Sequence, residues 1–441
     1  MVRGMDMLLA DELIEARWVV PVAPAGAIAH GAVAVRDGRI EAVGTAAELL
    51  PKVSAKVHTR LSDHVLMPGL VNAHTHAGMT LLRGFADDLA LMPWLQERIW
   101  PAEARWVDVD FVRDGTRLAA AEMLCGGITC CNDMYFFGDA AVGAAQRAGL
   151  RLVCGLVVLE FPTAYARDAA DYLHQGLALR DRWAGTPQLH FSLAPHAPYT
   201  VSDATFAQIA TFSAQLQLPV HIHVHETQDE ITQGLAQTGE RPLQRLRRLG
   251  LVNPDLIAVH AVHLTDDEIA MLAEHGAALV HCPVSNLKLG SGIARFADWL
   301  AAGCRAGIGS DSVASNNRHD LFAEMRLAAL LAKGSSGDAA RLPAAQALYA
   351  ATLGGAAALG LDAEIGSIER GKAADLVALD LGGADLQPVY DVVSHLVYCA
   401  GREHVTDVWV AGERRVDSRY LLRDDEDALR ALAADWQLRI R

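Results

Sequence analysis

Two histidines one residue apart, His74 and His76, close an apolar stretch, VLMPGLVNAHTH, that begins at Val65. The stretch reads as a short strand entered at Pro68 and Gly69. Side chains alternate across a strand, so both imidazoles point the same way. Further along the chain stand His196 in LAPHAPYT, then His221, His223 and His225 in PVHIHVHE with Glu226 directly after them. His260 in LIAVHAV and Asp311 in GIGSDS follow. Imidazole nitrogen and carboxylate oxygen are donors that zinc takes in catalytic sites, where one position stays open for water. His74, His76, one histidine of the 221–225 run and Asp311 would make such a set. Alone, a His-x-His pair is as readily a pair of hydrogen-bonded polar groups. Four candidates at strand ends, with an acid beside them, favour a metal.

These residues need elements that bring them together. Short apolar runs recur from Val65, Gly127, Arg151, Leu189, Pro219, Leu256, Ala277 and Arg305, which makes eight strands. Helical patterns lie between several of them. TDDEIAMLAEHG carries a capping box at Thr265 and Glu268 and a stop at Gly276, and DFVRDGTRLAAAEMLCGG ends on Gly126-Gly127. Eight strands alternating with helices predict a parallel (β/α)8 barrel, whose chemistry sits at the C-terminal strand ends. Every candidate above falls at such an end.

The flanks read differently. AVAVRDGRIEAVG is a hairpin turning at Asp37-Gly38, DLVALDL from Asp375 is a strand, and VTDVWVAGERRVD is a second hairpin turning near Ala411-Gly412. The expected organisation is a small β-sandwich built from residues 1–65 and 366–420. A barrel over 66–365 is inserted between its halves, and residues 421–441 form a charged surface helix.

The chain has 441 residues, 51% of them hydrophobic, enough for one large domain and a small one. A formal net charge of −15 argues against a nucleic-acid or anionic-membrane partner. Seven cysteines without regular spacing indicate free thiols in a reducing compartment. MVRGMDMLLADELIEA has no signal-peptide pattern, and no apolar run approaches the length of a membrane span. A cytoplasmic protein is expected.

At PGLVNAHTHAGMTLLRGFADD, APHAPYTVS, HIHVHET, SNLKLGSGIA, GSDSVASNN with LFAEMRLA, and GSIERGKAADLVALD, the chain resembles the amidohydrolase superfamily. Within it, the chain is similar to the 5-methylthioadenosine/S-adenosylhomocysteine deaminases and their chlorohydrolase relatives. The resemblance covers nearly the whole chain and implies a barrel with a β-sandwich from both termini. It implies metal ligands His74, His76, His223 and Asp311, with His223 chosen because the family ligand stands three before the acid, here Glu226. It implies His260 as the residue that holds the attacking water; a carboxylic acid beside the metal suits protonation of the ring, which gives Glu226 as general acid, and Asp311 can also accept the water proton. Glu103 in WPAE matches a residue that binds ribose hydroxyls, and His196 a substrate contact.

The implied reaction is hydrolytic deamination of an adenine nucleoside (5′-methylthioadenosine, S-adenosylhomocysteine or adenosine). The alternative is the same chemistry on guanine, cytosine or an s-triazine. One divalent ion is expected, Zn2+ before Fe2+ or Mn2+. No lysine lies between Lys56 and Lys288, so no middle strand can supply the carboxylated lysine that bridges two metals. A homo-oligomer is a family expectation. The chain departs from the family in one place: RLVCGLVVLEFPTAYA has no arginine after Arg151 where some members use one to bind the nucleoside.

The other residues have plainer readings. Without the family, Glu103 is a solvated carboxylate at a loop–helix junction. His221 and His225 share the ligand face but read as packing groups or as supports behind the ligands, and His263 as structural. His281 either shapes the pocket or packs. Met92 and Trp94 either cover an alkylthio group or pack a loop.

Overall fold

The computed structural model describes residues 7–440. Residues 1–6, with the start of the stretch read for a signal peptide, and residue 441 of the C-terminal segment lie outside the described residues.

Among the described residues sixteen strands form two sheets. In chain order they are β1 (Leu8–Val19), β2 (Ile28–Arg36), β3 (Arg39–Thr45), β4 (Val53–Pro68), β5 (Leu70–Thr75), β6 (Ile128–Met134), β7 (Arg151–Val158) and β8 (Leu189–Pro195). They continue as β9 (Val220–Val224), β10 (Leu256–His260), β11 (Ala278–His281), β12 (Arg305–Ile308), β13 (Leu376–Asp380), β14 (Val405–Val410), β15 (Glu413–Asp417) and β16 (Tyr420–Leu421). Strands β5 to β12 lie side by side in sequence order and are parallel. A parallel bridge from Thr75 to Asp311 brings the last segment back to the first. This is the (β/α)8 barrel, and its eight strands are the eight apolar runs of the sequence.

The helices follow their end signals. Asp266–Glu274 begins on a complete capping box between Thr265 and Glu268. Val109–Cys125 starts where the Asp108 carboxylate accepts the Phe111 N–H and stops at Gly126. Among the described residues no helix is long and apolar enough to cross a membrane.

The other strands form one mixed sheet in the order β16-β15-β14-β13-β4-β1-β2-β3. Strand β4 is shared, pairing parallel with β1 along one edge and antiparallel with β13 along the other. The sheet wraps over its own core, where Ile14, Val33, Ile40, Leu66, Leu376 and Trp409 pack together. Both hairpin turns take left-handed residues, Asp37-Gly38 and Ala411-Gly412. A Cβ on Gly412 would lie 2.7 Å from the Gly38 Cα, so the two turns touch.

Two boundaries differ from expectation. The stretch Val65–His76 is not one strand: Val65–Pro68 ends β4, and β5 begins after Gly69, so the terminal sheet reaches past residue 65. An unbroken run of apolar residues hides the break, because both halves are buried. At the other end Tyr420–Leu421 still pairs with β15, and the helix runs Glu426–Ile440. That helix is anchored, with Trp436 buried and donating its Nε1–H to Asp114 at 2.9 Å.

Candidate active site

The first, fifth, sixth and eighth barrel strands aim their ends at one point. His74 Nε2 lies 3.3 Å and His76 Nε2 3.2 Å from Asp311 Oδ1, and His223 Nε2 lies 3.2 Å from His74 Nε2. His260 joins the cluster with His74 and His223. In a tetrahedral zinc site with bonds of about 2.0–2.1 Å, neighbouring donors stand about 3.3 Å apart. The spacing here matches that edge length.

The backbone is bent to make this arrangement. His225, His260, Ala261 and Asp311 all take positive φ, at 54°, 67°, 45° and 57°. Non-glycine residues in that region carry strain, and here four of them gather at strand ends around one site. Asp311 turns back on the barrel, its N–H donating to His74 O at 3.0 Å.

Each imidazole is oriented through its other nitrogen. His76 Nδ1 donates to Met134 O at 2.6 Å, His223 Nδ1 to His196 O at 2.7 Å, and His260 Nδ1 to Asn286 Oδ1 at 2.8 Å. His74 Nδ1 lies 3.0 Å from His221 Nε2. With these bonds made, the Nε2 atoms are left to face the common point. Burial lowers the pKa of His74 to about 3 and that of His223 well below its usual range, so both stay neutral, the form that ligates. Burial opposes the charge on Asp311, but the facing imidazoles of His74 and His76 hold its carboxyl well below the ordinary range. Ser285 and Ser315 donate to its Oδ2 at 2.5 and 2.9 Å, leaving Oδ1 for the cluster. Burial works against a charge on His76 as well, but the facing Asp311 carboxylate outweighs it and raises its pKa, so a cation at this point would take the place of that proton.

Beside the cluster a cavity of about 650 Å³ opens, lined by His76, His196, His223, Glu226, His260 and Asp311 at one end. Burial raises the Glu226 carboxyl above its usual range, and its Oε2 lies 3.9 Å from His260 Nε2. Glu230 fixes the turn beneath it by accepting the N–H groups of His225 and Glu226, each at 2.9 Å. Glu103 lines the cavity and accepts the Tyr135 hydroxyl at 2.9 Å. Burial pushes its carboxyl up to about 7 against the pull of that bond. Helix Trp100–Trp106 carries it, half-buried and facing the cavity rather than at a loop junction.

The remaining sequence candidates separate here. His225 leaves the ligand face because β9 ends at Val224, and its ring accepts the Leu243 N–H at 3.1 Å instead. His281 stacks on Phe296 with ring centroids 5.0 Å apart and is no part of the cavity wall. His263 Nε2 donates to Ser291 O at 2.8 Å and is structural. Trp94 lines the cavity, with its indole N–H buried and unpartnered, whereas Met92 does not. Arg151 sits at the start of β7, the end away from the site, paired with Asp375 at 3.0 Å. Tyr135, Asn286, Ser285 and Ser315 had no assigned role. Tyr135 had a usable signal, since it follows the second barrel strand at its C-terminal end.

A model of the amidohydrolase family matches residues 65–415. A 5-methylthioadenosine/S-adenosylhomocysteine deaminase of Teredinibacter turnerae is 44% identical over 97% of each chain. The crystal structure of an adenosine deaminase from Xanthomonas campestris with bound zinc superposes with a TM-score of 0.97 at 50% identity, over 99% of each chain. An atrazine chlorohydrolase from Arthrobacter aurescens, complexed with zinc, shares the fold at 23% identity with a TM-score of 0.89, over 96% of this chain and 99% of that one.

Proposed function

The chain belongs to the amidohydrolase family, and from that premise we propose that it hydrolytically deaminates an adenine nucleoside, giving the inosine analogue and ammonia. The substrate is 5′-methylthioadenosine, S-adenosylhomocysteine or adenosine. One observation carries this reading: a buried carboxyl group, Glu226, lines the cavity beside the histidine–aspartate cluster, and a second carboxyl, Glu103, lines the same cavity. The full-length deaminase relatives support it.

His74, His76, His223 and Asp311 would hold one divalent ion, and we assign zinc from the nitrogen-rich donor set and the zinc in the Xanthomonas campestris structure. Such an ion supplies a Lewis acid and a water of lowered pKa. Glu226, favoured in its protonated form by burial, gives its proton to ring N1, which lets C6 accept the electron pair of the incoming water oxygen. His260, held by Asn286, presents Nε2 to that oxygen. Asp311 takes up one water proton and passes it to the exocyclic nitrogen, which leaves as ammonia, and the other water proton returns to Glu226 as the C6 carbonyl forms. Glu103 accepts hydrogen bonds from the ribose diol, and His196 contacts the base from the cavity wall.

The test is ammonia release from adenosine, 5′-methylthioadenosine, S-adenosylhomocysteine, guanine and cytosine. General acid–base catalysis is worth about 10²–10⁴-fold, so Glu226→Gln should lose that much in kcat while keeping its metal. Full activity in that variant removes Glu226 from the role.

A further inference from the structure

The cavity is chemically divided. Its acidic groups, Glu103, Glu226 and Asp311, lie at or near the end with the histidine cluster. A path of aromatic rings leads away from it. His76 and Tyr135 have centroids 6.4 Å apart, Tyr135 and Phe136 5.2 Å, Phe136 and Tyr165 6.4 Å, and Tyr165 and Phe137 5.3 Å. Trp100 and Phe161 face each other at 6.0 Å and complete this wall. Glu103 hangs from the Tyr135 hydroxyl, at the junction of the two zones.

Among the described residues, no lysine or arginine lines the cavity. Of the cations close in sequence to lining residues, Arg105 stacks over Trp106 at 4.6 Å and the exposed Arg167 pairs with Asp171 at 2.9 Å. The start of the third strand offers none either, since Arg151 is buried at the far end with Asp375.

A nucleoside with its ring carbon at the cluster and its diol at Glu103 sends its 5′ substituent into the aromatic zone. We infer that this site takes nucleosides with an uncharged, apolar 5′ substituent of the alkylthio class and rejects a zwitterionic amino-acid tail. The inference rests on the adenine-nucleoside reading above. A methylthio group buries apolar surface against the rings and gains sulfur–aromatic contacts. A homocysteine tail must desolvate a carboxylate that meets no cation, which is costly.

The experiment measures kcat/KM for 5′-methylthioadenosine, S-adenosylhomocysteine, and S-adenosylhomocysteine with its tail esterified and acetylated. Binding of the products 5′-methylthioinosine and S-inosylhomocysteine, which are not turned over, is measured alongside by calorimetry. The methylthio compounds should win by at least about 100-fold in both measurements, and masking the tail charges should recover at least about tenfold of that. Parity within threefold between the two products overturns the inference while leaving deamination intact. No ammonia from any adenine nucleoside, with the product ranking as expected, overturns the deaminase reading and leaves the apolar-tail preference standing.

Discussion

Glu103 shows how one residue's environment sets its use. Burial pushes its carboxyl up to about 7, with the Tyr135 hydroxyl pulling the other way. An ionised carboxylate accepts both hydroxyls of a diol, whereas a protonated one must give up an acceptor position. KM for a nucleoside should therefore rise as pH falls through about 7. KM for the free base, which has no diol, should stay flat through this range. Glu103→Ala should weaken nucleosides and spare bases, and a pH series of initial rates on both substrates checks this. His221 takes the second of its two expected roles, a support for the cluster rather than simple packing. Its Nε2 lies 3.0 Å from His74 Nδ1, and no spacing rule separates a histidine that ligates from one that orients the ligand.

The elements place these groups by close backbone approach. Gly309, between β12 and Asp311, lies against His74, and a Cβ there would come within 2.9 Å of both the His74 Cβ and its backbone nitrogen. The segment after β12 can approach β5 this closely only without a side chain. Gly309→Ala should thus push the Asp311 segment away from His74 and His76. We expect at least about a tenfold loss of metal affinity, the scale of lost ligand positioning, with the fold retained. Metal content after dialysis, read beside circular dichroism, tests this. Normal metal retention would show that the segment can shift without cost.

At the scale of the molecule, Glu122 ties the barrel to the terminal segment. Its carboxylate bonds to Arg83 after the first barrel strand and to Arg402 near β14, at 3.0 Å for the latter, and it accepts the His319 N–H at 3.2 Å. Burial alone would raise its pKa, but His319, Arg83 and Arg402 lower it to about 2. Burial holds His319 itself at about 4, so near neutral pH the two arginines act. A folded pKa below the ordinary 4.5 means that this stabilisation is fully present above pH 4.5 and is lost as pH falls through about 2. Glu122→Gln should cost about 2 kcal/mol at pH 7 and lower Tm by a few degrees. The gap to the parent should shrink steadily in acid. A constant gap down to pH 3 would place the effect in packing.

Much of this protein could be read without coordinates. Eight apolar runs separated by helix signals define the barrel because strand and helix periodicities are local properties of the chain. His74, His76, His260, Asp311 and one histidine of the 221–225 run could be nominated because strand ends are where a parallel barrel exposes polar groups, and the family resemblance picked His223 from that run. The break at Gly69 escaped because two buried strands from different sheets read as one apolar run. His225 packs as expected but does not share the ligand face, because strict alternation assumes a strand that continues and β9 stops at Val224. The pairing of Tyr135 with Glu103, the two serines on Asp311 and the cation-free aromatic wall join residues from far-apart segments. Only the tertiary fold decides these, since no local pattern records which side chains meet across a barrel mouth.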